Sequence, residues 1–587
     1  MRRGIAVSPG VAVGTAYCIH TILVDPERSR LEAEDVAAEL DAYQSAREKT
    51  IADLRAMQSK VERQLGHQEA AIFAVHEAIL RDRDFTQKVQ TWIVEERFTA
   101  AASLQRLLEH YSYLFAHTHD SYLRERLNDV RDVIQRLSAH LNAQTVPRMP
   151  SLSGPLILVA DEFLPSHAVA IGTTDVRGIV TQTGSRTSHA AIIARGRGIP
   201  AVSGVSGILK HVKTGDTIIV DGREGQVIVN PDAEVKSAFR KLEREFFLLK
   251  DQLAANRDQP ARTVDGVELE LLSNINGVTD AEAAVAMGAA AVGLFRTEYL
   301  YLTHPSIPSE EEQFEAYCRI IDASPGRRVT IRTLDIGGDK TVPYFGHHHQ
   351  EANPFLGWRS IRLSFEHPEF FNTQIRAILR AAAYARQHDG HVKLMFPMIT
   401  TIEEIHRLRA MMRRVKQRLR RARKPVADVP TGIMIEVPAA AVSIRSMLPL
   451  VDFVSIGSND LIQYLMAADR DNPKVSHLCQ PIAPAVLRVL TDVISACKEM
   501  DKPVTLCGEM AGQPSSFVLL LGMGLRSFSM SPPLVPSIKD LTRNISVQQA
   551  ERILEHALKL KTTSQIKRYL TEQLRRISPN IEMLETA

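Results

Sequence analysis

Thr181-Gln-Thr-Gly-Ser-Arg-Thr-Ser-His-Ala-Ala-Ile-Ile-Ala-Arg-Gly-Arg-Gly-Ile-Pro200 decides how the first half of this chain is read. It follows an apolar strand-like run, Gly178-Ile-Val180, and breaks at Gly184. From His189 onward small and apolar residues read as a helix. The Ser and Thr just upstream suit its N-terminus, because their oxygens accept from unpaired backbone N–H groups. A helix start also favours anions, so a phosphoryl group on His189 would lie among open N–H donors beside Arg186 and Arg195. Taken alone, the stretch reads rather as a capped helix with an incidental histidine. The rest of the chain decides between the two.

The 587 residues are too many for one core and predict three or four domains. Hydrophobic (44%) and charged (24%) fractions are those of an ordinary globular protein, and a net charge of +3 gives nucleic-acid binding no support. The densest basic run, Arg413 to Lys424, reads as the solvated end of a helix. Cys18, Cys318, Cys479, Cys497 and Cys507 form no CxxC pair, which argues against a disulfide framework or zinc site and for a reducing cytoplasm. No signal-peptide core or run of membrane-spanning length is present, so neither secretion nor membrane insertion is expected.

Residues 4–20 read as two short strands around a turn. From Ser29 to Asn142 the texture changes: no proline occurs between Pro26 and Pro147, Gly66 is the one glycine, and apolar residues recur at helical spacing. About four helices are expected, packed as an insertion. Over residues 30–145, 15 Lys and Arg stand against 19 Asp and Glu, a net of −4. Strand texture resumes at Pro155–Ala160 and continues to Gln226–Val229, so the first strands complete an α/β domain around the insertion. The expected domains are residues 1–25 with 146–230, the insertion at 26–145, a connecting helix at 231–261, and 262–587.

The last of these repeats strand, loop and helix. Strands are expected at Leu269–Ser273, Ala291–Phe295, Val329–Thr333, Val392–Phe396, Gly432–Ile435, Phe453–Ile456, Val504–Leu506 and Ser527–Met530. Eight strands alternating with helices over some 300 residues is the arithmetic of a (β/α)8 TIM-type barrel. Barrel active sites form at the C-terminal ends of the strands. There this sequence places Asn274, Arg296, Arg332, Glu436, Asn459 with Asp460, and Cys507 with Glu509. Generic solvation predicts no such regularity.

Arg296, Arg332, Arg359 and Arg470 would together require a multiply charged anion, since each guanidinium pairs bidentately with carboxylate or phosphate oxygens. Glu436 and Asp460 are hard oxygen ligands suited to Mg²⁺ bridging protein and substrate phosphate. Cys507 is either a buried small hydrophobe or a group that exchanges a proton with substrate carbon, its thiolate stabilised by the surrounding cations.

The chain resembles, essentially end to end, the Enzyme I family of bacterial phosphotransferase systems, the phosphoenolpyruvate–protein phosphotransferases. The matching stretches are Gly184–His189, Gly293–Glu298, Arg332–Lys340, Asn353–Arg359, Met434–Pro438, Ser455–Tyr464, Asp469-Arg470 and Cys507–Met510. Short singly, they are specific in this order and spacing. The resemblance implies a swivelling α/β phosphohistidine domain that carries an inserted helical bundle and precedes the barrel. It makes His189 the phosphorylated nucleophile, attacking through Nε2. Arg296, Arg332, Asn353, Arg359, Asn459 and Arg470 would bind phosphoenolpyruvate, with Glu436 and Asp460 holding Mg²⁺. Cys507 would protonate the enolate carbon to release pyruvate, and the helical insertion would dock the histidine phosphocarrier protein HPr. Homodimerisation through the barrel and a place at the first step of sugar phosphotransfer are also implied.

One departure stands out. Relatives carry a Thr after a Pro-Ser pair to orient the histidine, whereas here the segment reads Pro165-Ser-His-Ala168, leaving His167 or Ser188 for that part. The insertion is also less acidic than a strongly HPr-selective surface, which leaves the carrier's identity open. Pyruvate phosphate dikinase and phosphoenolpyruvate synthase share similar domains, but they need a nucleotide-binding domain, and the first 145 residues contain no glycine-rich phosphate loop. A regulatory protein that only senses phosphoenolpyruvate would show degraded barrel residues, and none is missing. A nitrogen-related paralogue usually begins with a GAF domain, while this sequence opens directly on the strand segment.

Overall fold

The computed structural model describes residues 2–19, 30–65, 73, 76–116, 121–141, 154–163, 175–184, 194, 198–302, 306–337, 351, 353–470, 472 and 474–579. Two compact units divide the chain, Met1–Phe246 and Phe247–Glu585.

The first unit holds an eight-stranded sheet: β1 (Arg2–Arg3), β2 (Ile5–Ser8), β3 (Val11–Ile19), β4 (Leu156–Ala160), β5 (Val176–Thr181), β6 (Ala201–Ser203), β7 (Thr217–Asp221) and β8 (Gln226–Val229), in the order β1-β8-β7-β3-β4-β5-β6-β2. The strands expected in residues 4–20 are β2 and β3. Their turn rests on Gly10, whose φ of +116° suits glycine, and a Cβ there would meet the Phe246 ring at 2.7 Å. β3 pairs in parallel with β4, Thr15 opposite Leu156, although more than 130 residues separate the two strands. The helical block therefore leaves and re-enters one sheet.

That block contains α1 (Val36–Leu65), α2 (Arg83–Val94), α3 (Ala100–Ala116) and α4 (Ser121–Leu141). Asp82 caps α2 by accepting from Phe85 N at 2.9 Å. Tyr43, Leu54, Phe85, Ile93, Leu104, Leu107, Val133 and Leu137 share its core, as the helical spacing anticipated. α5 (Ala233–Ala255) leads toward the second unit.

The second unit is a closed barrel of β9 (Glu270–Ile275), β10 (Val292–Arg296), β11 (Arg328–Arg332), β12 (His391–Phe396), β13 (Thr431–Ile435), β14 (Phe453–Ile456), β15 (Val504–Leu506) and β16 (Ser527–Met530). Every neighbouring pair is parallel, and β16 closes on β9. All eight expected strands are present within two residues at either end, three of them with identical bounds. Side chains alternate across each strand. Ile331, Leu394, Ile433, Ile435, Val454, Ile456, Leu506 and Phe528 face outward into the core shared with the helices. Leu294, Met395, Met434, Phe453 and Cys507 form a separate cluster inside the barrel. The basic run does lie on a helix, Ile402–Arg421, which opens on a Thr401–Glu404 capping box and buries Ile405, Leu408, Met412, Val415 and Leu419. Among the described residues no helix is long and apolar enough to cross a membrane.

Candidate active site

The period of two along the barrel strands builds the site. It points Leu294 inward and so places Arg296 on the inner face of β10; it points Met434 inward and carries Glu436 inward just past β13. Arg332 ends β11 on the inner face, and Cys507 follows β15 in the same register. The strand-end residues named from the sequence thus gather at one mouth of the barrel.

Four carboxylates meet the arginines there. Arg332, 7% exposed, pairs through Nη2 with Glu298 and through Nη1 with Asp335 Oδ2 at 3.3 Å. The Arg359 Nη2 donates to both Asp335 oxygens, at 3.0 and 3.1 Å, and lies 3.6 Å from Asp460 Oδ2. Its Nη1 donates to the Tyr464 hydroxyl at 3.1 Å, which in turn donates to the Phe355 carbonyl at 2.6 Å. Arg470 Nη1 lies 3.2 Å from Asp460 Oδ1 as an ion pair without a hydrogen bond between them. Burial works against the charge of Arg332 and Arg359, yet Asp335 with Glu298 or Asp460 outweighs it and holds both firmly protonated.

Glu436 is 1% exposed, and its Oε1 accepts from Met398 N at 2.6 Å. Met398 takes a left-handed φ of +55°, a strained conformation for a non-glycine residue that aims its N–H at the carboxylate. Burial first, and then the charges of Asp460 and Asp335, push the Glu436 carboxyl up to about 8, with Arg332 and Arg359 opposing. Asp460 lies in the first turn of the helix Ser458–Met466. Gly457 and Gly508 let the surrounding loops close in: a Cβ on Gly457 would meet Glu436 Oε2 at 2.8 Å, and one on Gly508 would meet Ser458 Oγ at 1.7 Å.

Glu436 and Asp460 fit a divalent cation by chemistry. Both are buried oxygen donors, and Asp460 Oδ1 accepts no hydrogen bond. Two carboxylates fill only part of an octahedral shell and leave positions for water or substrate oxygens, as Mg²⁺ prefers. Among the described residues no three or more His, Cys, Asp or Glu side chains come together as a group that could hold a metal ion.

Cys507 is 2% exposed, and its Sγ accepts from Ser455 Oγ at 3.1 Å. Here the sequence expectation needs correction. Burial raises the thiol's pKa, while Ser455, Arg332 and Arg296 oppose that rise, so the neutral thiol rather than a stabilised thiolate is the favoured form.

The Arg296 side chain makes no hydrogen bond or ion pair among the described residues, while its backbone closes the ladder between β10 and β11 opposite Arg332. Asn459 Oδ1 accepts from Glu509 N at 3.0 Å, which leaves its amide N–H groups for other partners. Asn353 is exposed and opens the turn Pro354–Leu356, two residues before the Phe355 ring that lies 5.9 Å from the Arg359 guanidinium. Asn274 serves the scaffold: it donates to the carbonyls of Cys507 (2.8 Å) and Ser529 (3.3 Å). His189, Arg186, Arg195, His167, Ala168 and Ser188 lie outside the described residues. Up to its break the loop is well anchored, with Gln182 Nε2 donating to Asp161 Oδ1 at 2.8 Å and Thr183 N to the Asp161 carbonyl at 2.8 Å.

Three family models match consecutive stretches: the N-terminal region of PEP-utilising enzymes over residues 3–126, their mobile domain over 152–225 and their PEP-binding domain over 250–547. A phosphoenolpyruvate–protein phosphotransferase of Listeria monocytogenes is 39% identical over 96% of this chain and 97% of its own. The Haemophilus influenzae protein of the same name is 36% identical over 98% and 99%. The chain belongs to the phosphoenolpyruvate–protein phosphotransferase family.

Set against the motifs of a phosphoenolpyruvate–protein phosphotransferase, the sequence reading missed Glu298, Asp335, Tyr464 and Met398 as parts of the site. The first three lie inside stretches quoted for the resemblance, Gly293–Glu298, Arg332–Lys340 and Ser455–Tyr464. Counting residues at strand ends does not find them, because they lie beyond: Glu298 opens the short helix Glu298–Leu302, Asp335 follows β11 in a loop, and Tyr464 is on the helix Ser458–Met466. Met398 has no sequence signal, since it contributes only a backbone N–H.

Proposed function

We propose that the barrel mouth binds phosphoenolpyruvate and that His189 takes its phosphoryl group. Phosphoenolpyruvate-dependent protein phosphotransfer, acting on histidine, is the activity of this family and of this chain. In this reading Arg296, Arg332, Arg359 and Arg470, with Asn353 and Asn459, bind the carboxylate and phosphate of the substrate. Glu436 and Asp460 would hold Mg²⁺, which when bound neutralises charge developing on the phosphoryl oxygens. His189 Nε2 attacks phosphorus as the bond from phosphorus to the enol oxygen breaks, and the released electron pair stays on that oxygen. The buried thiol of Cys507 then gives its proton to the terminal carbon of the enolate, yielding pyruvate and a thiolate that is reprotonated from solvent.

The observation that carries this reading is the pairing of Arg332, Arg359 and Arg470 with Asp335 and Asp460 in one network at the C-terminal end of the barrel, with Glu436 within reach of their charges. A neutral imidazole, with an ordinary pKa of about 6.5, is nucleophilic at neutral pH. Phospho-His189 passes its group to a histidine phosphocarrier, HPr or a paralogue, docked on α1–α4, at the entry to sugar phosphotransfer. The site acts within a cytoplasmic homodimer paired through the barrel. Radiolabelled phosphoenolpyruvate with Mg²⁺ should give an acid-labile, base-stable phosphoprotein; labelling that survives His189→Ala would contradict the assignment.

A further inference from the structure

Behind the strand ends sits a buried polar assembly that the roles above do not use. Gln374, on the helix Pro368–Gln387, is 0% exposed. Its Oε1 accepts from Leu334 N at 3.0 Å, and its Nε2 donates to Thr297 Oγ1 at 3.1 Å and lies 3.4 Å from the Tyr317 hydroxyl. Thr297 Oγ1 in turn donates to the Arg332 carbonyl at 3.0 Å. These partners determine the amide's orientation. A backbone N–H can only donate, and the single Thr297 proton is committed to a carbonyl, so Gln374 must turn its oxygen to Leu334 and its nitrogen to Thr297.

Thr297 separates Arg296 from Glu298, and Leu334 lies between Arg332 and Asp335. One side-chain amide therefore ties together the two segments that carry a pair of arginines and their buried counter-ions. Arg296 and Arg332 are the last partners of the ladder between β10 and β11, and Thr297 and Leu334 lie just past them, where that ladder no longer holds the chain. We propose that Gln374 is the positioning residue for phosphoenolpyruvate binding, holding the Arg296 and Arg332 segments in register through Thr297 and Leu334. This rests on Arg296 and Arg332 being substrate ligands.

Gln313 supplies the internal comparison. It is equally buried and belongs to the same assembly, but it donates to the Pro308 carbonyl (2.8 Å) and accepts from the hydroxyls of Tyr301 (2.8 Å) and Tyr317 (3.4 Å), with no bond to the segments that bear the arginines. Phosphoenolpyruvate KM, kcat and melting temperature are to be measured on the full chain for Gln374→Met, Gln313→Met, Thr297→Val, Thr297→Ser and Arg332→Met. Gln374→Met and Thr297→Val should each raise KM on the order of 10-fold or more, as displaced binding groups do. Thr297→Ser, which keeps the hydroxyl, should restore KM. Gln313→Met should lose as much thermal stability with KM unchanged. A double variant of Gln374→Met with Thr297→Val should be little worse than either alone, because both break one linkage.

Equal KM effects from Gln374→Met and Gln313→Met, or an unchanged KM in Gln374→Met, overturn the positioning role. Should Gln374→Met not fold, an unchanged KM in Thr297→Val overturns it instead. An unaltered KM in Arg332→Met would sink the substrate-site reading itself, whatever Gln374 does.

Discussion

Arg332→Met tests whether the mouth is a buried ion-pair network. The guanidinium is the partner of Glu298, which is 2% exposed. It also contacts Asp335, but Asp335 keeps Arg359 at 3.0 Å. The substitution therefore orphans one carboxylate, Glu298, and removing one partner of a buried pair costs about 3–5 kcal/mol. Adding Glu298→Gln replaces the stranded charge by a neutral amide and should return most of that, about 2–3 kcal/mol, without restoring phosphoenolpyruvate binding.

Denaturant unfolding of the two variants beside the parent chain reads these differences directly. A loss below about 1 kcal/mol, or one that Glu298→Gln fails to reverse, would refute the reasoning.

Further outcomes follow from other parts of the structure. Because burial keeps Cys507 a neutral thiol, its alkylation should be slow at neutral pH and accelerate only in alkaline solution, while Cys507→Ala should severely slow pyruvate release; rapid labelling at neutral pH, or normal turnover, would remove it as proton donor. With the Glu436 carboxyl pushed up to about 8, Mg²⁺ binding at neutral pH should release close to one proton, and affinity should rise roughly tenfold between about pH 7 and about pH 9; calorimetry in buffers of different ionisation enthalpy checks both. Gly508→Ala drives a Cβ to 1.7 Å from Ser458 Oγ, at the start of the helix that carries Asn459 and Asp460, and should cost about 1–3 kcal/mol along with most of the activity. Glu310, held down to about 2 against its burial by Lys424, Arg376 and Arg380, contributes stability above the ordinary carboxylate range that is lost as pH falls through its depressed value; Glu310→Gln should therefore destabilise the neutral protein by about 1–2 kcal/mol and converge with the parent near pH 2.

How much of this was legible in the sequence depends on which physical regularity carried it. The barrel strands were readable because each is a short apolar run bounded by turn residues. The polar residues at or just past six of the eight strand ends were readable because barrel active sites form at the C-terminal ends of the strands. That rule stops at the strand ends, so Glu298 and Asp335 went unread as counter-ions although they stand two and three residues beyond Arg296 and Arg332. Cys507 was located correctly but assigned the wrong charge state. From sequence it stands among cations, whereas in the fold desolvation among Leu294, Met395, Met434 and Phe453 is the larger effect. Gln374 gave no signal at all. A glutamine within an amphipathic helix, followed by Ile375, Ile378 and Leu379, reads as an interruption of the apolar face, and only the tertiary fold supplies its three partners.

The acids in the mouth account for how a site can keep several arginines together before any anion arrives. Arg332 and Arg359 share Asp335, so their guanidinium groups stand within one carboxylate's width of each other. Two such charges roughly 6 Å apart repel by about 3 kcal/mol at an effective dielectric of about 20. Asp335 and Glu298 offset that repulsion and hold the forks in place. On the proposed reading, an incoming phosphate meets arginines that are already oriented, so less ordering entropy is lost on binding than with mobile side chains. On the same reading the substrate must out-compete Asp335 for guanidinium protons, and a trianionic phosphoenolpyruvate brings more charge to that exchange than a monocarboxylate such as pyruvate.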